Sequence, residues 1–263
     1  MREALRAPTP VPARTVGEAL AIEPGEVAVF TGGGDLTAVL RSLSAGLTLR
    51  GRVLVTTTTQ MPPAADENDL PPVLAERYDD LLAGLEMMLS SQRRTVATRG
   101  VLAGGMLRGI PRGWIDRLRD ANVADYILVL GDDARGRPLK VAGADDPVIP
   151  GCARVVIPCA SVSVVDRPLD DTVACRPEVL AARLDLQFRQ RLTPRHVAQA
   201  LLGPDGCAKD APAGCRVLPL LLDTTAAGPV ATKTTAYELR KLGAQRIIAC
   251  DDSTGRLHVE VYA

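Results

Sequence analysis

Short, nearly continuous apolar runs alternate along this chain with longer stretches in which apolar residues recur every three or four positions. Val27–Phe30, Arg52–Val55, Tyr126–Leu130, Arg154–Ile157, Arg216–Leu222 and Arg246–Cys250 are of the first kind and read as buried strands. Thr95–Thr98 is a weaker example, and Leu257–Tyr262 alternates like an edge strand. The second kind begins with Leu36, Val39, Leu40, Leu43 and Leu47, and continues with Tyr78–Leu89 and a helix opened by Pro111 that runs to about Leu118. Glu178–Arg189, Thr193–Leu202 (Thr193 as cap) and Thr232–Leu242 (closed by Gly243) follow the same spacing. Residues 62–78, with Pro62, Pro63, Pro71 and Pro72, read as a loop, and Gly104–Gly109 as a glycine-containing turn. Strands alternating with helices predict a three-layer α/β fold with a mostly parallel sheet. Residues 1–24 are rich in proline and charge, with only a short helical pattern at Val16–Ile22. They predict a flexible leader, which leaves 25–263 as a single α/β domain.

The junction between the first strand and the first long helix is the most informative local feature. Val27–Phe30 runs straight into Thr31-Gly32-Gly33-Gly34-Asp35, and the helical spacing starts at Leu36. A glycine loop between a buried strand and a helix is a ready anion site, because backbone N–H groups converge there with the positive end of the helix dipole. The same loop also serves as a plain tight turn. Neither standard phosphate motif is complete. A dinucleotide fingerprint would place its sixth position at Thr37 rather than at glycine, and the second strand ends in Thr56–Thr59 rather than in an acid. A Walker loop needs Gly-Lys-Ser/Thr where this chain has Gly34-Asp35-Leu36. Asp35 brings negative charge to the ammonium position, and Leu36 removes the hydroxyl that would hold magnesium.

Composition narrows the field further. Hydrophobic residues make up 46% and aromatics 3%, so aliphatic side chains must build the core. The formal net charge is zero, which argues against nucleic acid or an anionic membrane as the main partner. No apolar run reaches the roughly 20 residues of a membrane span. The first residues also lack the apolar core of a signal peptide, so a cytoplasmic location is expected. In that compartment the six cysteines stay thiols; none forms a CxxC pair, and His196 and His258 are not spaced for metal. No metal site is therefore expected, unless Asp132 directs a magnesium ion. Cys175, beside Arg176, reads as a buried inert thiol, and His196 as a structural residue at a helix start.

Three segments taken together resemble a known family. TGGGDLT, VLVTTTTQM and DDARGRPLKVAGADDPVIP are similar to the glycine loop, threonine run and "GARGRPLK…EPVIP" block of the YqeC family, accessory proteins associated with selenium-dependent molybdenum hydroxylases. VDRPLDDTVACRPE, from Val165 to Glu178, resembles that family's "GKPL…HRPE" stretch. The likeness spans roughly residues 26–250, and the GRPLK…DPVIP block is its specific part. It implies a P-loop NTPase-like α/β fold and a role in maturing a labile-selenium molybdenum enzyme. It also implies a partner in that hydroxylase or its cofactor-insertion machinery. The family loop resembles Gly-Ala-Gly-Gly-Lys-Thr-Thr, so Asp35 stands at its lysine and Leu36 at its first threonine, with Thr37 retained. Cys175 stands at the histidine of "HRPE".

These readings converge on Gly32, Gly33, Gly34, Thr37, Thr57, Thr58, Asp132, Arg135, Arg137 and Lys140 as a degenerate site for ATP, with magnesium, or for another nucleotide or phosphate. Asp132 follows a buried strand, where α/β sheets bind ligands. Arg135, Arg137 and Lys140 would restore the missing positive charge. Thr57 and Thr58 either line the crevice or serve only as strand formers. Three functions follow: an accessory protein with a degenerate site, an active phosphotransferase or NTPase using Arg137 or Lys140, or a non-catalytic interaction module.

Overall fold

A computed structural model describes residues 10–13, 15–63, 72–132, 134–251 and 258–262. The chain opens with β1 (Pro10–Ala13), α1 (Val16–Leu20), β2 (Val27–Gly32), α2 (Leu36–Thr48) and β3 (Val53–Thr57). Next come β4 (Gln60–Met61), β5 (Val73–Leu74), α3 (Tyr78–Ser91), β6 (Arg94–Thr98), β7 (Gly100–Val101), β8 (Leu107–Arg108), α4 (Arg112–Asp120) and β9 (Tyr126–Leu130). The second half holds β10 (Val155–Ser161), α5 (Pro177–Leu184), α6 (Pro194–Leu202), β11 (Arg216–Val217), β12 (Leu220–Leu222), α7 (Thr224–Lys241), β13 (Ile247–Asp251) and β14 (His258–Tyr262).

The main sheet runs in the order β1-β14-β13-β12-β10-β2-β9-β3-β6-β5, with β11 also paired to β10. From β13 to β5 every pairing is parallel; β14 and β1 add antiparallel strands at one edge. This is a three-layer α/β fold with a mostly parallel sheet, as the alternation of elements predicts. Strands β2, β3, β9 and β10 are buried throughout because helices cover both faces. Ala28 and Phe30 pack toward α1 and α2, whereas Val27 and Val29 pack toward α3 and α4. Helices α5, α6 and α7 cover the remaining half of that second face. Strand β9 is inserted between β2 and β3, and β10 lies on the other side of β2. The carboxyl ends of β2 and β9 therefore flank a topological switch point, where open α/β sheets hold ligands.

Several boundaries differ from the sequence reading, each for a local reason. From Pro10 onward the expected leader is docked, apart from Arg14, which with residues 1–9 lies outside the described residues. β1 pairs with β14, and Val16, Ala19, Leu20 and Ile22 enter the core. Consequently β14 is not an edge strand. The loop expected over 62–78 contains β5, while 64–71 lie outside the described residues. Helix α5 stops at Leu184 because Asp185 takes a left-handed conformation at φ 53°. The predicted 216–222 strand is split around Pro219, which has no N–H to donate. Helix α7 starts earlier than expected, but Gly228 (φ 80°) and Pro229 break it, so the expected segment is its part beyond the kink.

Candidate functional site

The glycine loop sits at the switch point, and its backbone donors are largely used within the chain. Gly33 donates its N–H to the carbonyl oxygen of Cys159 at 2.8 Å, and Gly34 donates to that of Arg137 at 2.9 Å. Leu36 N–H turns back to Gly34 O at 3.0 Å. Asp35 caps α2: its Oδ1 accepts the N–H of Ala38 at 3.0 Å. The negative group that the helix dipole favours is thus a side chain of the chain itself.

The glycines are required by backbone packed on backbone rather than by a phosphate. A Cβ at Gly32 would lie 2.3 Å from the Cys159 carbonyl oxygen, and one at Gly33 would lie 2.5 Å from that of Pro138. The 137–139 segment packs directly against the face of the loop at Gly33. Thr31 adds a further tie, with its Oγ1 donating to Cys207 O at 2.7 Å.

Beside the loop lies a cleft of about 300 Å³ lined by Gly34, Asp35, Leu36, Thr37, Pro62, Leu130, Asp132, Ala134 and Gly136. Three of the expected residues, Gly34, Thr37 and Asp132, meet here. The charged side chains on this lining are carboxylates, Asp35 and Asp132. A triphosphate would meet the Asp35 carboxylate and few available amides here, and the described lining residues include no lysine or arginine.

Lys140 does not supply the missing cation to the cleft. Its side chain is 2% exposed, forms a salt bridge with Asp132 and donates to Asp146 Oδ2 at 3.0 Å. Asp146 in turn accepts from Arg176 at 2.8 Å. Burial pulls the Lys140 ammonium down, but the charge and hydrogen bonds of Asp132 and Asp146 outweigh it and hold it above the ordinary lysine value. Burial pushes the Asp146 carboxyl up, yet the Gly143 N–H, Lys140 and Arg176 together hold it below the ordinary range. Asp146 had no sequence signal of its own beyond its place in the ADDPVIP segment.

The threonines are staples. Thr56 Oγ1 donates to Ala97 O at 2.8 Å, Thr57 Oγ1 to Leu130 O at 2.9 Å, and Thr58 Oγ1 to Val148 O at 2.8 Å. Thr57 therefore ties β3 to the end of β9 and Thr58 ties it to the 148 segment, and neither lines the cleft. Arg135 and Arg137 are exposed, and both line a separate pocket of about 270 Å³ with Cys175 and Arg176. Cys175 is buried, as expected. Burial pushes the Cys159 and Cys207 thiols, which lie beneath the glycine loop, well above the ordinary value. His196 completes a capping box with Thr193, accepting the Thr193 N–H on Nδ1 at 3.2 Å. Among the described residues no group of His, Cys, Asp and Glu is arranged to hold a metal ion. No helix among them is long and apolar enough to cross a membrane.

Fold and site together define a three-layer α/β protein whose first strand, glycine loop and helix meet at the switch point of the sheet, with the loop tied to neighbouring main chain. The YqeC family model, described as "YqeC protein", matches residues 27–178, more than half of the chain, and the chain belongs to that family. No curated protein and no solved structure matches it.

Proposed function

We propose that this chain is a YqeC-type accessory protein for maturation of a selenium-dependent molybdenum hydroxylase, acting by binding rather than by nucleotide turnover. The family match over residues 27–178 supports the accessory context. One observation carries the absence of turnover: the N–H groups of Gly33 and Gly34 are spent on Cys159 and Arg137, while Asp35 caps the helix they precede. The phosphotransferase alternative needs a cation from Arg137 or Lys140 in the cleft. Lys140 is committed to Asp132 and Asp146, and Arg137 lines the neighbouring pocket.

Two measurements test this reading. Calorimetric titration of the full chain with ATP, with and without magnesium, should give no saturable heat, and phosphate release should stay at the background rate. Magnesium-dependent ATP hydrolysis would overturn the non-hydrolytic reading. For the accessory role, deleting the gene in a host that makes a molybdenum hydroxylase should abolish hydroxylase activity while leaving its polypeptide level unchanged. Full hydroxylase activity in the deletion strain would overturn that role.

A further inference from the structure

We propose that Arg135, Arg137 and Arg176 form a binding pocket for a single oxyanion, a phosphate or phosphate monoester, separate from the glycine-loop cleft. The pocket has a volume of about 270 Å³ and lies between the 134–138 turn and the start of α5. Its lining includes three arginines, Arg135, Arg137 and Arg176, together with Asp171 and Glu178. Arginines outnumber carboxylates on this lining by one, and Arg176 also carries its ion pair with Asp146, so the pocket suits no more than one small anion and disfavours a triphosphate. Guanidinium groups are the side chains best matched to phosphate oxygens, because their planar N–H forks bind two oxygens at once.

The walls of the pocket are fixed by main-chain bonds. Leu139 N–H donates to Val173 O at 3.1 Å, and Cys175 N–H to Leu139 O at 2.9 Å, so the two walls form one short parallel bridge. Arg137 N–H donates to Ala134 O at 3.0 Å, and Arg137 O receives Gly34 N–H, which anchors the turn to the glycine loop. Arg176 is oriented by Asp146 at 2.8 Å and packs so closely on Gly143 that a Cβ there would lie 2.6 Å from Nη1. Its side chain stays 40% exposed. Arg135 and Arg176 both adopt left-handed backbone conformations, at φ 52° and 55°. The glycine loop thus lends its structural rigidity to the neighbouring turn, and the pocket exists whatever partner the chain serves.

The test uses the full chain and inorganic phosphate, with adenosine monophosphate as the ester arm and sodium chloride at matched ionic strength as the control. Phosphate should raise the melting temperature saturably without magnesium, and chloride should not. Arg137→Gln, on an exposed turn, should weaken the dissociation constant at least tenfold, and Arg176→Gln likewise, whereas Asp35→Ala in the cleft should leave it unchanged. Tighter binding of the monophosphate than of phosphate identifies an ester as the ligand; equal binding identifies free phosphate. No saturable shift, a shift reproduced by chloride, or binding that survives Arg137→Gln would overturn the proposal. Binding that tightens on Asp35→Ala and is indifferent to Arg137→Gln would place the anion in the cleft instead.

Discussion

The N–H of Gly34 points at the carbonyl oxygen of Arg137, 2.9 Å away, and this bond fastens the glycine loop to the turn that follows β9. Next to it, Gly33 has no room for a side chain, because a Cβ would fall 2.5 Å from Pro138 O, a main-chain atom that cannot swing aside. Gly33→Ala should therefore act as an overpacking mutation and cost about 1–3 kcal/mol. For a domain of this size that corresponds to a fall of roughly 2–12 °C in melting temperature. An unchanged melting temperature in a thermal scan would mean that the 137–139 segment does not press on the loop.

Lys140 and Asp132 are both almost fully buried, at 2% and 1% exposure. Removing the ammonium alone strands a carboxylate, so Lys140→Met should cost about 3–5 kcal/mol in urea denaturation. Lys140→Met combined with Asp132→Leu should recover most of that loss, since an uncharged pair carries no desolvation penalty. The network also shapes stability against pH. Asp146 is held low, so its contribution is present above about pH 4 and is lost as pH falls through its folded value. Lys140 is held high, so its contribution is full below about pH 10.4 and is lost as pH rises through its folded value.

The parallel core was legible because β2, β3, β9 and β10 are buried on both faces and appear as unbroken apolar runs. The glycine loop was legible as a strand-to-helix turn from residue type alone, whereas the capping role of Asp35 emerges from its bond to Ala38. What the donors of that loop touch was not legible. Gly33 meets Cys159 and Gly34 meets Arg137, partners more than 100 positions away that only the sheet order brings alongside. The pairing of Lys140 was hidden for a different reason: its partners Asp132 and Asp146 lie only eight and six residues away, but nothing in their spacing shows that the three are buried together. Pro10–Ala13 carries no strand pattern, and its place in the sheet depends on β14 offering an edge.

His196 supplies a pH signal at the other end of the molecule. Burial, followed by the nearby Arg195 charge, holds its imidazole below the usual 6.5. The capping box uses Nδ1 as an acceptor, which only the neutral ring provides. A depressed value means that the unfolded chain binds the proton more readily, so this contribution is present above about pH 6.5 and declines as pH falls through the folded value. His196→Gln keeps an acceptor at the same helix position and should flatten stability between pH 5 and about 6.5, as read from urea midpoints. An unchanged slope in the variant would remove His196 from the cap.

The six thiols should divide by burial when the native protein is treated with iodoacetamide at about pH 8, below the ordinary thiol value near 8.5. Five are buried, and Cys215 alone is half-exposed. Burial, helped by Asp116, pushes Cys152 up to about 12, and burial also raises Cys159 and Cys207. Mass spectrometry should find modification at Cys215 first, with the others reacting only after unfolding. Rapid modification of Cys207 would show that the floor of the glycine loop opens in the native state.

Restoring the lysine and hydroxyl of a Walker loop gives the sharpest check on the closed loop. Asp35→Lys with Leu36→Thr returns an ammonium and a magnesium-binding hydroxyl to the head of α2. It leaves Gly33 and Gly34 tied to Cys159 and Arg137, and it leaves Pro138 packed against Gly33. A triphosphate is held chiefly by converging main-chain N–H groups, so a cation alone should not create a site. The double variant should lose about 1 kcal/mol with its helix cap. In calorimetric titration it should bind magnesium-ATP no better than the parent chain. Micromolar binding by the variant would mean that the two main-chain bonds yield to a ligand, and that charge at position 35, rather than the closed backbone, is what keeps nucleotide out.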